Sequence, residues 1–580
     1  LPRDGNFVIF AHQSKIMAKT GKTDKKNTKA ALSSAHLTVF DRMEARLGNN
    51  RQGIFYVLCF LCVLVSILLF NAHVSEGGDD SSYIQAGWDY SRNFFHYYYN
   101  FNAPFYPMFL SIPIKLAGIN LIFLKALSVP MQLFGLIFLF KAFDKRIPYL
   151  VLFPVLFFLA VNATVQYFAS QTYNEAFFFF WQGLFFLVFV RLYDTLESGK
   201  NTLQETWKLW LAFGTLAFVL TFAKNIAICM VPVLPLFFLL QKRWKEAAYA
   251  IGSFLAIKIA YETIKTAIWG NLTQLKAQGS ILMLKDPYDA SKGTDDVMGF
   301  IGRFFDNCNI YLSKRFFQII GFRNSENTEL FAGLAFLVVL LLGVGLVTIF
   351  RSKNKVLLFA ALYSLAIVAG TFLVLQARWD QPRMIILQMP FMLMILFYGI
   401  YATVKKGGFA QNIYLGLIVI FSFSLLGTTF GKAAENLPVL SKNIRGDMYY
   451  GFTPDWVNFL KISRWSAENL PDTAYVASRK APMSFIYGKG KKFYPVYKVL
   501  AYDTASKQSN PDTLLALFRK EKVTHMIIAS LRMDPVRNSG NVINTLHNMI
   551  EPIMRKYPQK VVLVHQEGET EPSMLYEIKQ

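Results

Sequence analysis

Residues 54–83 read IFYVLCFLCVLVSILLFNAHVSEGGDDSSY. The run 54–73 carries no acid, lysine or arginine. A helix rises ~1.5 Å per residue, so about 20 such residues cross the hydrocarbon core of a bilayer. Directly after it comes Ser75-Glu76-Gly77-Gly78-Asp79-Asp80-Ser81-Ser82-Tyr83, with two adjacent carboxylates. Acids just outside a membrane span and ahead of an aromatic stretch point to chemistry at the membrane surface.

The rest of the chain extends the first span into a polytopic pattern. Of 580 residues, 54% are hydrophobic and only 17% are charged, too few charges for a soluble globular protein of this size. Candidate spans fall at 54–73, 121–142, 148–168, 172–192, 207–223, 226–240, 247–268, 329–350, 356–376, 384–403 and 411–429, eleven in all. The net charge of +23 does not call for nucleic acid, because Lys and Arg gather in short loops between apolar segments. One set of loops holds Lys141, Lys145, Arg146, Arg191, Lys200, Lys208, Lys242, Arg243, Lys245, Arg351, Lys353, Lys355, Lys405 and Lys406. The short loops of the opposite set hold only Lys224, Arg378 and Arg383. This bias places the N-terminus in the cytoplasm, and the C-terminus and the acid pair outside.

Residues 1–52 read as a basic cytoplasmic tail, expected to be disordered, with Met17 a plausible start. No small-residue cleavage site follows the first span, so the segment does not resemble a cleaved signal. Cys59 and Cys62 form C-x-x-C inside a span without a second ligand pair, which speaks against zinc or redox use.

Three segments then face the exterior: 74–120, 269–328 and everything after 430. In the first, residues 105–118 are apolar but too short to span easily, and they read as an interfacial helix. Residues 430–580 are rich in charge and have short apolar runs. Strands are expected at 474–478 and 526–529, helices at 455–470 and 511–521, and a hairpin across Gly568, giving a soluble α/β domain.

Ionisable groups at the mouth of a helical bundle are costly and are therefore candidates for function. Asp79 and Asp80 could act as a general base or hold a divalent cation; equally, Asp followed by two serines suits a solvated helix start. Glu175 opens a span directly ahead of Phe177-Phe178-Phe179-Phe180-Trp181, with no solvated loop around it; the plain alternative is an acid favoured at a helix N-terminus. Lys224, Arg378 and Arg383 are cationic donors suited to a phosphate leaving group, or side chains reaching headgroups, or, for Arg378, a partner of Asp380. No P-loop, no G-x-G-x-x-G after a strand and no His cluster is present.

In this order the motifs resemble the GT-C glycosyltransferases, particularly the bacterial aminoarabinose transferase and protein O-mannosyltransferase type. Asp79-Asp80-Ser81-Ser82-Tyr83 is similar to that family's D-E-x-x-Y motif, followed by Asn102-Ala103-Pro104-Phe105-Tyr106-Pro107, Asn174-Glu175, Thr221-Phe222-Ala223-Lys224 and Arg378-Trp379 with Pro382 and Pro390. The stretch 465–479 resembles the external domain of many bacterial members. Three departures stand out: Asp80 in place of Glu, no basic residue or paired proline at Asn102-Ala103-Pro104, and Lys224 in place of Arg.

The resemblance implies a GT-C membrane fold and inverting transfer of a sugar from a polyprenyl-phosphate carrier to an extracytoplasmic acceptor, whether lipid, glycan or protein. It implies Asp79 as base, Asp80 as its supporting neighbour and Glu175 as orienting Asp79 or the acceptor. Tyr83 is the motif tyrosine on the substrate side, and Lys224, Arg378 and Arg383 would stabilise the departing phosphate. It implies the inner (plasma) membrane and no cofactor; the mannosyl and aminoarabinose types need no metal, whereas oligosaccharyltransferases use one. Segment 269–328 would close over the donor, and the C-terminal domain would guide the acceptor or a partner. A flippase of lipid-linked glycans would want ionisable groups at the midplane and an inverted repeat; that class and a non-catalytic scaffold are the rival readings.

Overall fold

The computed structural model describes residues 38–580 apart from 201, 271, 274–276, 288–291, 325–326, 406, 504–505, 507, 533–541 and 580. Of the tail expected over 1–52, residues 1–37 lie outside the described residues. Beyond them the expectation of disorder fails, because Val39–Asn49 is helical. Thr38 and Asp41 form a reciprocal capping box. Both oxygens of Glu44 accept backbone N–H groups at the start of another helix, from Tyr149 at 2.6 Å and Leu150 at 2.8 Å. Buried Phe40 packs on Tyr401. A polar composition concealed an amphipathic helix pinned to the bundle.

Among the described residues, eight helices are long and apolar enough to cross a membrane: Arg51–Leu68, Leu121–Phe143, Asn174–Glu197, Leu203–Ala223, Trp244–Trp269, Ala332–Arg351, Lys355–Val374 and Phe409–Ile444. A further apolar pair, Tyr149–Val161 and Ala163–Ala169, meets at 53° and forms either a broken span or a re-entrant loop. Asn162 makes the break: its side chain caps Val165 N–H at 3.0 Å and donates to Ile319 O at 2.6 Å. The protein is a multi-pass membrane protein. Two of the eleven expected spans, 226–240 and 384–403, are shorter apolar helices, Asn225–Leu239 and Met389–Val404. The first opens as a 3-10 turn before Pro232. The second has 16 residues and rises about 24 Å, less than a typical hydrocarbon core.

Close helix crossings rest on glycine. A Cβ on Gly183 would lie 2.8 Å from Gly135 O, and one on Gly399 would lie 2.7 Å from Gly345 Cα. At both seams the backbones themselves touch, the small-residue packing of membrane helices.

Segment 74–120 folds as Asp79–Asn93 and Phe105–Ala117, packed so closely that a Cβ on Gly87 would meet Ile114 and Leu110 at 2.9 and 3.0 Å. Phe105–Ala117 buries Tyr106, Leu110 and Ile114 and turns Ile112 and Leu116 outward, as the interfacial reading expects. Segment 269–328 contains a packed helical wall. Val297–Asn309 runs through a π-helical turn, Ile310–Arg315, into Phe316–Ile319. Asn307 ties it to the end of Lys355–Val374, donating to Phe372 O and Leu375 O.

The last long helix passes straight through the boundary expected at 430 and ends at Ile444. Beyond it, Val476–Ser478 pairs in parallel with Tyr494–Pro495 and with His525–Ile528. His525–Ile528 then pairs antiparallel with Ser573–Ile578, which forms the hairpin with Val561–Glu567. Pro454–Asn469 and Pro511–Lys520 supply the expected helices.

The glycine seam carries a prediction. Gly183→Leu should destabilise the protein by about 1–3 kcal/mol or more through overpacking. Gly252→Leu, where nothing lies within 4 Å of the added Cβ, should not; thermal unfolding in detergent compares the two.

Candidate active site

The acid pair opens the helix Asp79–Asn93, with Gly78 as N-cap at φ 86°. That left-handed backbone suits glycine and lets the chain turn sharply from the first span into the helix. Successive helical residues point about 100° apart, so the two acids part company at once.

Asp80 turns inward and is fully buried. Ser75 N–H donates to Oδ2 at 2.7 Å and Ser81 N–H to Oδ1 at 2.8 Å. Burial pushes its carboxyl up to about 6, against the pull of the Ser75 N–H, Lys125 and the Ser81 N–H, with Asp79 adding to the rise. Lys125 is itself held by Asn71 Oδ1 and His73 O, each at 2.6 Å. Asp80 thus closes the turn that presents Asp79.

Asp79 stays partly exposed and pairs with Arg383. Burial opposes the charge on Arg383, yet Asp79 and Glu175 raise its pKa above the ordinary arginine value. The guanidinium also sits 5.5 Å from the Tyr173 ring centroid, a cation–π contact, and its Nε–H is buried without a protein acceptor. Tyr173 in turn shares a 2.7 Å hydrogen bond with Ser75.

Glu175 lies in the first turn of Asn174–Glu197, buried, with Oε1 3.0 Å from Lys224 Nζ. Asn174 donates to Ala223 O at 3.2 Å, which locks the start of this helix to the end of Leu203–Ala223 and so brings Lys224 to Glu175. Glu175 Oε2 and Gln132 Nε2 are both buried without a protein partner. Both residues line one cavity of about 20 Å³, room for about one water. The Tyr83 hydroxyl accepts from Asn102 Nδ2 at 3.3 Å. Burial, then Asp79 and Glu175, raise its pKa well above the usual phenol value, so it is a neutral phenol.

Asp79, Arg383, Glu175 and Lys224 therefore converge at one end of the bundle, the end that carries the C-terminal domain, while Asp80 faces away. Neither protein-family models nor curated protein sequences give a match. Solved structures do. ArnT from Cupriavidus metallidurans bound to undecaprenyl phosphate aligns over 91% of this chain and 98% of its own, at 11% identity and TM-score 0.52. The Archaeoglobus fulgidus oligosaccharyltransferase in the apo form aligns over 89% of this chain and 80% of its own, at 9% identity and TM-score 0.50. The same enzyme tethered with an acceptor peptide containing the NVT sequon aligns over 92% and 74%, at 12% identity and TM-score 0.50.

The fold is that of the GT-C glycosyltransferases. At these identities the likeness carries the architecture, and the chemistry has to be argued from this chain's own residues.

On the GT-C scaffold the structure adds groups that the sequence reading missed. Lys314 and Arg315, both buried, sit in the π-helical turn and bind Asp380; Arg315 Nε reaches Asp380 Oδ1 at 2.5 Å. Two cations on one carboxylate leave local positive charge three residues before Arg383. The adjacent basic pair at 314–315 was the available signal, hidden in a segment read as a loop. Asp380 is thus engaged from another element, whatever the place of Arg378, whose side chain lies outside the described residues. Lys224, expected as a free phosphate ligand, is half of an ion pair with Glu175. Among the described residues no three of His, Cys, Asp and Glu gather to hold a metal.

The buried acid carries a pH prediction. The folded-state pKa of Asp80 lies above its unfolded value, so the folded protein binds more protons between the two. The stabilising contribution is full below about pH 4 and is lost as pH rises through about 6. Asp80→Asn lacks this titration. The wild-type unfolding free energy measured relative to D80N should fall as pH rises from about 4 to 7, by up to about 3 kcal/mol; a flat difference would contradict the assignment.

Proposed function

We propose that the protein is an inverting glycosyltransferase that moves a sugar from a polyprenyl-phosphate carrier to the hydroxyl of an extracytoplasmic acceptor. The observation that carries this reading is the Asp79–Arg383 pair, beside Glu175–Lys224, at the mouth of a GT-C bundle. A base and a cation for a leaving oxyanion occupy one partly open site.

In the reaction, the acceptor hydroxyl attacks the anomeric carbon from the face opposite the phosphate. Asp79 takes the hydroxyl proton. The bond between the anomeric carbon and the phosphate oxygen breaks, its electron pair leaves with the lipid phosphate, and configuration inverts. Arg383 stabilises the charge that develops on the phosphate, with its fork suited to two oxygens. Lys314 and Arg315 supply further positive charge on the same side, and Lys224 acts both on Glu175 and on the phosphate. Glu175 holds Lys224 and shares in the field on Arg383, and Tyr83 lines the site behind Asp79 as a neutral phenol. The divergence of Asp79 and Asp80 supports a metal-independent mechanism, because the two carboxylates do not face one point.

The orientation proposed is cytoplasmic N-terminus and extracytoplasmic C-terminal domain in the inner membrane. With the bent pair taken as one span, the described residues hold nine candidate crossings, an odd number as eleven would be. The site lies on the side of the C-terminal domain, since Lys480 of that domain reaches Glu76 O at 2.6 Å. Protease added to intact spheroplasts should therefore cut the C-terminal domain and spare the loop at Lys242-Arg243.

Asp79→Asn tests the chemistry. Release of undecaprenyl phosphate from an undecaprenyl-phosphate sugar in native membranes should fall by roughly 10²–10⁴-fold, the usual worth of a general base. Binding of undecaprenyl phosphate to the purified variant should persist. Wild-type turnover in D79N removes Asp79 as base; no turnover in wild-type protein with any acceptor removes the transferase reading.

A further inference from the structure

The turn that aims Asp79 is held from outside the membrane bundle. Ser75 organises its inner side: Ser75 O accepts from Gly78 N at 3.0 Å, Ser75 Oγ from Gly77 N at 3.1 Å, and Ser75 N–H donates to Asp80. Ser81 and Ser82 hydroxyls both donate to Gly78 O at 2.8 Å. The carbonyls of Glu76 and Gly77, on the other side of the turn, point at the C-terminal domain. There Lys480 Nζ donates to Glu76 O at 2.6 Å and reaches Gly77 O at 3.4 Å.

Lys480 is itself fixed. It is the N-cap of Ala481–Tyr487, just beyond the strand Val476–Ser478. Its ammonium lies 5.6 Å from the ring centroid of Trp456, a fully buried residue whose indole N–H donates to Arg532 O at 3.1 Å. The helix it caps packs on the acid helix, with Phe485 edge-on to Trp88 at 5.9 Å. A cation beside a helix N-terminus opposes the helix dipole. Burial, and after it Arg479, bring Lys480 down to about 8 against the pull of Asp79, Glu76 and Asp80, which raise it. The two carbonyls and three carboxylates are what keep an ammonium in this place.

We propose that Lys480 is a positioning residue for the transfer reaction: by binding the Glu76 and Gly77 carbonyls it locks the turn that presents Asp79, so the C-terminal domain completes the catalytic end of the bundle. The consequence for activity rests on Asp79 as base; the anchoring of the turn does not. Lys492, which pairs with Asp89 at 2.8 Å and is largely exposed, is a second tie across the same interface, remote from the turn.

The test uses the full chain in detergent and in native membranes. In Lys480→Met, amide hydrogen exchange over residues 75–82 should quicken by roughly tenfold or more. Binding of undecaprenyl phosphate should stay within about twofold of wild type, while release of lipid phosphate falls roughly 10–100-fold, the scale of a misplaced catalytic group. Lys480→Arg, which keeps a charged donor, should restore both, and Lys492→Ala should change neither. Should K480M not accumulate, Lys480→Gln carries the same comparison. Unchanged exchange over 75–82, or wild-type turnover in a Lys480 variant lacking the charge, overturns the proposal. So does a K492A that matches K480M, since that would be general loosening of the interface. If wild-type protein transfers no sugar, the functional reading fails while the exchange measurement still judges the anchor.

Discussion

An arginine enclosed by protein keeps its charge, because its pKa lies too high for deprotonation to relieve the cost of burial. Arg383 is such a residue, and much of the end of the bundle that carries the candidate site follows from satisfying it. Asp79 pairs with it, Glu175 contributes its field and Tyr173 offers a ring face. Each of these comes from a different element: the acid helix, the start of Asn174–Glu197 and the turn before it. Holding Arg383 therefore fixes the relative placement of segments far apart in the chain, and the same placement puts a partly exposed carboxylate beside a cation.

Several charges at this end of the bundle are answered by opposite charges or by backbone donors. Lys224 answers Glu175, Lys314 and Arg315 answer Asp380, and Lys125 and backbone N–H groups answer Asp80. Buried pairs of this kind add little net stability, but breaking one leaves an uncompensated charge. They are better understood as devices that specify geometry. The glycine seams do comparable work in the span region: direct backbone contact at Gly135–Gly183 and Gly345–Gly399 sets how closely the helices approach.

Local patterns in the sequence were readable where the physics is local. The Asp79 motif, the interfacial helix at 105–117 and the C-terminal strands and hairpin all follow from periodicity, turn residues and charge within a few positions. Readings failed where a local pattern had a distant partner. Val39–Asn49 reads as tail because its anchor, the N–H pair at Tyr149 and Leu150, lies in another helix. Residues 314–315 read as loop because the acid that justifies burying them is at 380. The stretch expected as one span at 384–403 is instead divided between the short helix Arg383–Ile386 and the helix Met389–Val404, because apolar composition says nothing about where a helix begins or breaks.

The sequence by itself determined that this chain crosses the membrane many times, carries an acid pair just beyond its first span and ends in an α/β domain. These are consequences of segment length, hydropathy and short-range periodicity. Only the tertiary structure decided which acid faces the site and which is buried. Asp79 and Asp80 are chemically identical neighbours, and one helical step of rotation separates their fates. It also decided that Asp79 meets an arginine 304 positions away and that a lysine 404 positions from Glu76 holds the turn before it. Such pairings arise from how whole elements pack, and no one-dimensional pattern of charge specifies them.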